Sequence, residues 1–115
     1  MVMTVSFSSV TCEADTVEGY RRDGFAIVRG VFDRGEVAAL AAAFDRQYAA
    51  GLLHPRDFRH GNLMVRVGSD PALGRIVKMV QWPSYGDPVL ADIRTDMRLF
   101  GLMAPLLGSD IKQIM

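Results

Sequence analysis

Apolar positions along residues 37–48 recur with the spacing of one helical face. They fall at i, i+3, i+4, i+7 and i+11, at Val37, Leu40, Ala41, Phe44 and Tyr48. Just before this stripe, Asp33 and Glu36 have the spacing of a capping box, in which each side chain accepts a hydrogen bond from the other's backbone amide. The pattern predicts a helix that starts after Asp33 and ends at Gly51.

The residues before this helix predict a second helix and a strand. A short apolar edge predicts a helix from about Glu13 to Arg22, and Gly24 stands where a helix end favours a left-handed residue. The next segment, Phe25–Val31, is short, apolar and rich in β-branched residues, which indicates a strand. This strand is too apolar to stand alone, and we expect it to join a sheet formed elsewhere in the chain.

The middle of the chain predicts a loop followed by two extended segments. Residues Leu52–Gly61 are polar and contain a proline, which is typical of a loop. The segments Asn62–Gly68 and Arg75–Trp82 have the alternation and β-branched content of strands. The sequence SDPALG between them predicts a turn.

The last third predicts helix and then strand. Asp87 is a good N-cap and Pro88 a good first helical residue. The apolar spacing that follows fits one bent helix or two shorter ones, with Gly101 and Pro105 favouring a break, and with Gly108 as the stop. The final residues, DIKQIM, read as a new strand. Because such a strand has no partner after it, we expect the chain to be the N-terminal portion of a longer α+β protein.

Composition limits the partners that this chain is expected to bind. The 115 residues are 50% apolar and 23% charged with zero formal net charge, which indicates one globular, partial domain. No basic face is predicted, so neither nucleic acid nor a membrane is an expected partner. Residues 1–12 have no signal-peptide or membrane-span pattern and are predicted to be a flexible tail. With Cys12 as the single cysteine, we expect a cytoplasmic protein without an internal disulfide.

Two polar groups have both a chemical and a structural interpretation. His54, Asp57 and His60 could supply metal ligands, but positively charged neighbours and irregular spacing favour a solvated loop. Asp92 and Asp96 are interleaved with arginines at helical spacing, which favours an exposed, salt-bridged face over an acid–base pair. From the residues alone, we therefore predict an α+β protein without an assigned catalytic group.

Two longer stretches resemble one enzyme family. The stretch YRRDGFAIVRGVFDRGEVAALAAAFD, residues 20–45, is similar to the opening of the phytanoyl-CoA dioxygenase family, with its helix, DG turn, strand and capped helix. The stretch DPVLADIRTDMRLFGLMAPLLGSDIKQIM, residues 87–115, resembles that family's next part, from a DP helix start through LLG to a strand. The resemblance covers nearly the whole chain beyond about residue 16.

This resemblance implies a fold and a chemistry. Members of the family are iron(II)- and 2-oxoglutarate-dependent oxygenases built on a double-stranded β-helix, a jelly-roll sandwich braced by N-terminal helices. Two histidines and a carboxylate hold the iron, and oxidative decarboxylation of 2-oxoglutarate drives hydroxylation of a substrate C–H bond. By resemblance, all iron ligands would lie beyond Met115, so we expect no metal ligand and no catalytic residue in this chain, which alone would be inactive.

The resemblance also implies four binding residues within the chain. Lys78 stands at the matching distance before Pro88 for a lysine that reaches the 2-oxoglutarate site, where an ammonium would pair with a carboxylate. Met115 matches a methionine that lines the same site, and Gln113 lies two residues earlier on the same strand face. Trp82 is a candidate wall of the small-molecule substrate pocket. Plain structural roles remain open: a strand lysine extending to solvent for Lys78, core packing for Met115, and a core or lid position for Trp82.

A different class of function remains open beside the enzyme. A small, non-catalytic α+β module could bind a partner through an exposed sheet edge. Such a module would be stable and soluble by itself, whereas a portion of a larger oxygenase would expose apolar strand faces.

Overall fold

The computed structural model describes residues 13–112, and these residues divide between two compact units. One unit comprises residues 13–31 with 96–112, and the other comprises Phe32–Thr95. The predicted flexible tail, including Cys12, lies outside the described residues. All strands that the structure describes belong to the second unit.

The first helix, α1, spans Ala14–Asp23 and confirms the prediction. Glu13 is its N-cap, and Asp15 with Arg21 and Arg22 places charges that complement the helix dipole at both ends. Gly24 ends the helix with φ of 82°, a left-handed conformation that glycine adopts without steric cost.

The predicted strand at Phe25–Val31 is not formed. These residues pair with no strand in the described part of the chain, and the apolar side chains stay exposed, by 64% at Phe25 and 69% at Ile27. A β-branched, apolar sequence favours an extended backbone, but a strand also needs a neighbour to satisfy its backbone groups. The three-stranded sheet described below does not extend to this segment.

The second helix, α2, spans Arg34–Leu52 and begins with the predicted capping box. The Asp33 carboxylate accepts from the Glu36 amide at 2.7 Å, and the Glu36 carboxylate accepts from the Asp33 amide at 3.4 Å. These bonds satisfy amides that have no partner inside the helix. The helix prediction is therefore confirmed to within one residue at its end.

The buried face of α2 differs from its most apolar stripe. The buried residues are Ala43, Gln47 and Gly51, whereas Phe44 is 57% exposed and Tyr48 is 43% exposed. Small residues on the buried face allow a close approach to the sheet. A Cβ added at Gly51 would lie only 2.7 Å from Cγ2 of Val77 and 3.2 Å from Cγ1 of Val65.

The sheet contains three antiparallel strands in the order β1-β2-β3: Phe58–His60, Leu63–Asp70 and Gly74–Gln81. The predicted loop at Leu52–Gly61 is therefore wrong at its end, where β1 pairs with β2 across a tight turn. Gly61 in that turn has φ of 58°, and Asn62 follows it. A Gly-Asn pair between extended residues is a hairpin signal that the charged neighbouring residues obscured.

The turn between β2 and β3 is shorter than the predicted SDPALG segment. The Asp70 carboxylate accepts from the amides of Ala72 and Leu73 at 2.8 and 2.9 Å. These side-chain hydrogen bonds imitate those of a backbone turn. As a result, β2 continues to Asp70 and β3 begins at Gly74.

The pairing of β2 with β3 contains a β-bulge at Lys78. Arg66 pairs with Met79, and Val67 pairs with Val77, so Lys78 has no partner residue on β2. A bulge of this kind puts two residues opposite one and redirects side chains locally.

Two helices follow the sheet. After a 3-10 turn at Pro83–Tyr85, α3 spans Pro88–Arg94 and α4 spans Met97–Leu107. Asp87 caps α3 and Pro88 is its first residue, as predicted. The break between helices falls at Thr95 and Asp96, while Gly101 and Pro105 lie inside α4.

The end of α4 confirms one prediction and not another. Gly108, with φ of 88°, ends the helix as predicted. The strand predicted for DIKQIM is not formed at Ile111 and Lys112, and its last three residues lie outside the described part. Among the described residues, no helix is both long and apolar enough to cross a membrane.

The close approach at Gly51 gives a stability prediction. We expect Gly51→Ala to lower the free energy of unfolding by about 1–3 kcal/mol, because the new methyl group would overlap Val77. Gly19→Ala is the matched control, since a Cβ there meets only the Arg22 guanidinium at 4.0 Å and replaces glycine within α1. Chemical denaturation measures both, and a stabilised Gly51→Ala variant would contradict the packing described here.

Candidate functional site

The Lys78 side chain lies on the sheet face turned away from α2, here called the far face. Val65 and Val77 face α2, because a Cβ at Gly51 would contact methyl groups of both. Gly68 comes three residues after Val65 on β2, so it faces the opposite way. The Lys78 chain passes directly over Gly68, which places Lys78 on the far face as well.

The bulge places a second side chain on this face. Met79 pairs with Arg66, whose position next to Val65 directs it away from α2. Lys78 and Met79 are therefore two consecutive exposed residues, in a strand whose exposed and half-buried residues come in pairs and do not alternate singly. The far face thus combines a cation with a pliable apolar side chain.

The Lys78 ammonium has no counter-charge within the described residues. No ion pair or hydrogen bond joins it to a neighbour there, and the residue is exposed. Arg66, on the same face, is paired instead with Asp57 at 3.5 Å. An unpaired ammonium on a rigid strand can bind a carboxylate without first breaking another ion pair.

A cavity of about 390 Å³ lies between α2 and β3. Its lining is partly apolar and includes Phe44, Gln47, Tyr48, Val77, Val80 and Pro83. Lys78 and Met79 also border it at the bulge. The bulge therefore adjoins a concave surface as well as the far face.

Trp82 adopts a backbone conformation that is rare for a bulky residue. Its φ of 53° and ψ of 54° are left-handed, and it is the one non-glycine residue with positive φ among those described. The residue directly follows β3 and precedes the 3-10 turn. Such a conformation costs free energy and persists only where neighbouring contacts hold it.

Those contacts come from Arg94 and Tyr85. The Arg94 guanidinium lies 5.2 Å from the ring centres of both aromatic residues, and the two rings meet edge to face at 6.1 Å. Arg94 also donates to the Ser84 hydroxyl at 3.1 Å. Hydrogen bonds from Arg94 and, to a smaller extent, Asn62 lower the pKa of the Tyr85 hydroxyl, because both favour the phenolate.

A bidentate ion pair fixes the start of α3 against α2. Arg46 donates to the two Asp87 carboxylate oxygens at 2.9 and 3.1 Å, and Asp87 also accepts from the Val89 amide at 2.9 Å. Asp87 is only 6% exposed. The hydrogen bond with Arg46 lowers the pKa of this carboxyl, and it outweighs the opposing effect of burial.

Two of the residues considered as a metal group, His54 and Asp57, have separate structural partners. The His54 ring stacks on Phe58 with centres 4.0 Å apart, and the His54 carbonyl accepts a hydrogen bond from Arg75. Asp57 accepts from the Val67 amide at 3.0 Å. Across residues 13–112, no three His, Cys, Asp or Glu side chains are arranged to hold a metal ion.

The structure describes two of the four predicted binding residues, and no contact joins those two. Lys78 and Trp82 lie near the end of β3 and directly after it. Gln113 and Met115 lie outside the described residues, so their predicted contact with 2-oxoglutarate stays a prediction.

Comparison with known proteins relates the chain to one enzyme. It is 33% identical over 98 residues to the ectoine dioxygenase of Bordetella bronchiseptica. The chain is similar to a dioxygenase. The matching region covers 85% of this chain and 29% of that relative, so the chain spans less than a third of its length. No protein-family profile and no solved structure matches the chain.

Sequence reasoning missed several of the contacts in this region. It predicted Asp87 as a helix cap but not its partner Arg46, which lies far away in the chain. It expected the arginines at 94 and 98 to pair with carboxylates on one helix face. Arg98 does pair with a carboxylate, that of the α4 N-cap Asp96 at 2.8 Å, whereas Arg94 packs against aromatic rings.

The lowered pKa of Asp87 predicts a pH-dependent stability. The ionised carboxylate is favoured in the folded state, so its stabilisation is present above the ordinary aspartate pKa of about 4 and is lost as the pH falls below it. We expect Asp87→Asn to unfold at a lower temperature than the wild type at pH 7, and the two curves to converge towards pH 3.

Thermal unfolding followed by circular dichroism across this pH range measures the difference. Asp92→Asn, which removes an exposed carboxylate from the same helix, is the matched control. A constant gap between the wild type and Asp87→Asn at all pH values would contradict the role of the ion pair.

The Arg94 contacts predict a shift in tyrosine ionisation. We expect Arg94→Met to raise the Tyr85 pKa towards its ordinary value, because the charged hydrogen-bond donor is lost. Ultraviolet titration measures phenolate formation, and Tyr85→Phe identifies the transition that belongs to this residue. If that transition does not move to higher pH in Arg94→Met, Arg94 does not contact Tyr85 in solution.

Proposed function

We propose that the chain is the N-terminal part of an iron(II)- and 2-oxoglutarate-dependent dioxygenase of the phytanoyl-CoA dioxygenase family. The enzyme would hydroxylate a C–H bond of a small organic or acyl substrate. The similarity to an ectoine dioxygenase over 98 residues supports the dioxygenase class, and the two quoted stretches support the family.

The observation that carries this proposal is the unpaired ammonium of Lys78 on the far face of the sheet. Its charge, its exposure and its place on a bulged strand suit a residue that binds one carboxylate of 2-oxoglutarate. Trp82, held in an unusual conformation at the end of the same strand, suits the wall of a substrate pocket.

The described residues do not fit the iron itself. They contain no cluster of side chains that could hold a metal ion, so in this proposal the ligands come from outside the described part. The contribution of these residues is to bind and orient the cosubstrate. Gln113 and Met115 are proposed to line the same site.

In this proposal the three-stranded sheet is the beginning of a double-stranded β-helix. Its antiparallel order, with α2 packed on one face, suits a sheet of a sandwich that helices brace on the outside. The far face would then point into the sandwich, towards the cosubstrate and substrate.

The activity is tested on the full-length protein supplied with Fe(II), 2-oxoglutarate and O₂. The relative's name makes ectoine the first substrate to assay. Succinate formation that requires 2-oxoglutarate and is accompanied by formation of a hydroxylated product would support the proposal. Absence of 2-oxoglutarate turnover and of 2-oxoglutarate binding would contradict it.

The role of Lys78 has its own test. We expect Lys78→Ala to raise the half-saturating 2-oxoglutarate concentration by about tenfold or more, since a charge-assisted hydrogen bond contributes about 1.5–3 kcal/mol. Lys78→Arg keeps a positive charge and should recover part of the affinity. Lys112→Ala removes the other lysine of these 115 residues and is the matched control. An unchanged 2-oxoglutarate dependence in Lys78→Ala would leave this lysine with a structural role.

A further inference from the structure

The side chain of Lys78 occupies the space that any side chain at position 68 would need. A Cβ built on Gly68 would lie 2.9 Å from Nζ and 3.0 Å from Cδ of Lys78, and closer still to Cε. Real Cβ atoms do not approach other heavy atoms so closely. The present position of the lysine and a side chain at position 68 therefore exclude each other.

The bulge explains why this contact exists. Gly68 pairs with Ile76, and Val67 pairs with Val77, but Lys78 has no partner on β2. Freed from the regular register, its chain extends back along the far face over Gly68 instead of standing beside a cross-strand neighbour. The glycine supplies a slot in the sheet surface, and the bulge directs the lysine into it.

We propose that Gly68 is a positioning residue for the Lys78 ammonium. It acts through the lysine and touches no ligand itself. The positioning of the ammonium by Gly68 does not depend on the proposed function. Its consequence does: the slot would set where the ammonium meets a carboxylate of 2-oxoglutarate.

The backbone at Gly68 does not require glycine. Gly68 is absent from the described residues with positive φ, so alanine fits the strand without backbone strain. The atoms that a methyl group would meet belong to the flexible end of Lys78, which can move aside. A substitution at position 68 should therefore displace the ammonium while leaving the fold intact.

The first experiment measures the lysine directly, without cofactor or substrate. Lys78 and Lys112 are the two lysines of this 115-residue sequence, so limited acylation of the full-length protein followed by peptide mass spectrometry reports Lys78 against Lys112 as an internal reference. We expect Gly68→Ala to change the Lys78 to Lys112 labelling ratio by about twofold or more, because a methyl group at position 68 would displace the Lys78 amine and change its accessibility to the reagent. Ser69→Ala, the next position on β2 with its side chain on the opposite face, is the matched control.

The second experiment measures the half-saturating 2-oxoglutarate concentration in the full-length protein. We expect Gly68→Ala to raise it by about three- to tenfold, since a displaced binding group loses part of its effect. In a Lys78→Ala background, the same change should have no further effect, because the residue through which Gly68 acts is gone.

The outcomes separate this inference from the proposed function. An unchanged labelling ratio in Gly68→Ala, or an equal loss of 2-oxoglutarate affinity with and without Lys78, would overturn the positioning role. A changed ratio together with a 2-oxoglutarate dependence that Lys78→Ala does not alter would uphold the slot and refute the cosubstrate role of Lys78. Thermal unfolding of Gly68→Ala verifies that the variant is folded.

Discussion

The close packing of α2 on the sheet is the constraint on which the residue 32–95 unit depends. The helix presents small residues to β2 and β3, and at Gly51 it lies so close that an added Cβ would be only 2.7 Å from Cγ2 of Val77. Such an approach buries Val65 and Ala43 although few large side chains are available. It also fixes which sheet face is covered, and therefore which residues lie on the far face.

The Arg46–Asp87 pair extends this arrangement from the sheet to the next helix. It ties the middle of α2 to the first turn of α3, and the same carboxylate caps that turn. One buried aspartate thus accepts hydrogen bonds from both a guanidinium and a helix amide. These bonds compensate for the hydration that the carboxylate loses on burial. The segment that contains Trp82 in its unusual conformation is therefore held between the end of β3 and the start of α3.

Local signals in the sequence were sufficient for most elements of this chain. The capping box at Asp33 and Glu36, the Asp87-Pro88 start and the glycines at helix ends act through neighbouring backbone groups, so the sequence predicted them well. The segment at Phe25–Val31 failed because a strand depends on a partner that propensity does not reveal. The hairpin at β1 was missed because its charged residues resemble a loop.

The candidate site divides in the same way. The sequence by itself determined that a single lysine stands shortly before the capped helix, and resemblance linked it to a carboxylate. Only the tertiary structure decided that Lys78 is bulged, lacks a counter-charge in the described part and lies over Gly68. Strand register and close approach arise between residues distant along the chain, and no local pattern encodes them.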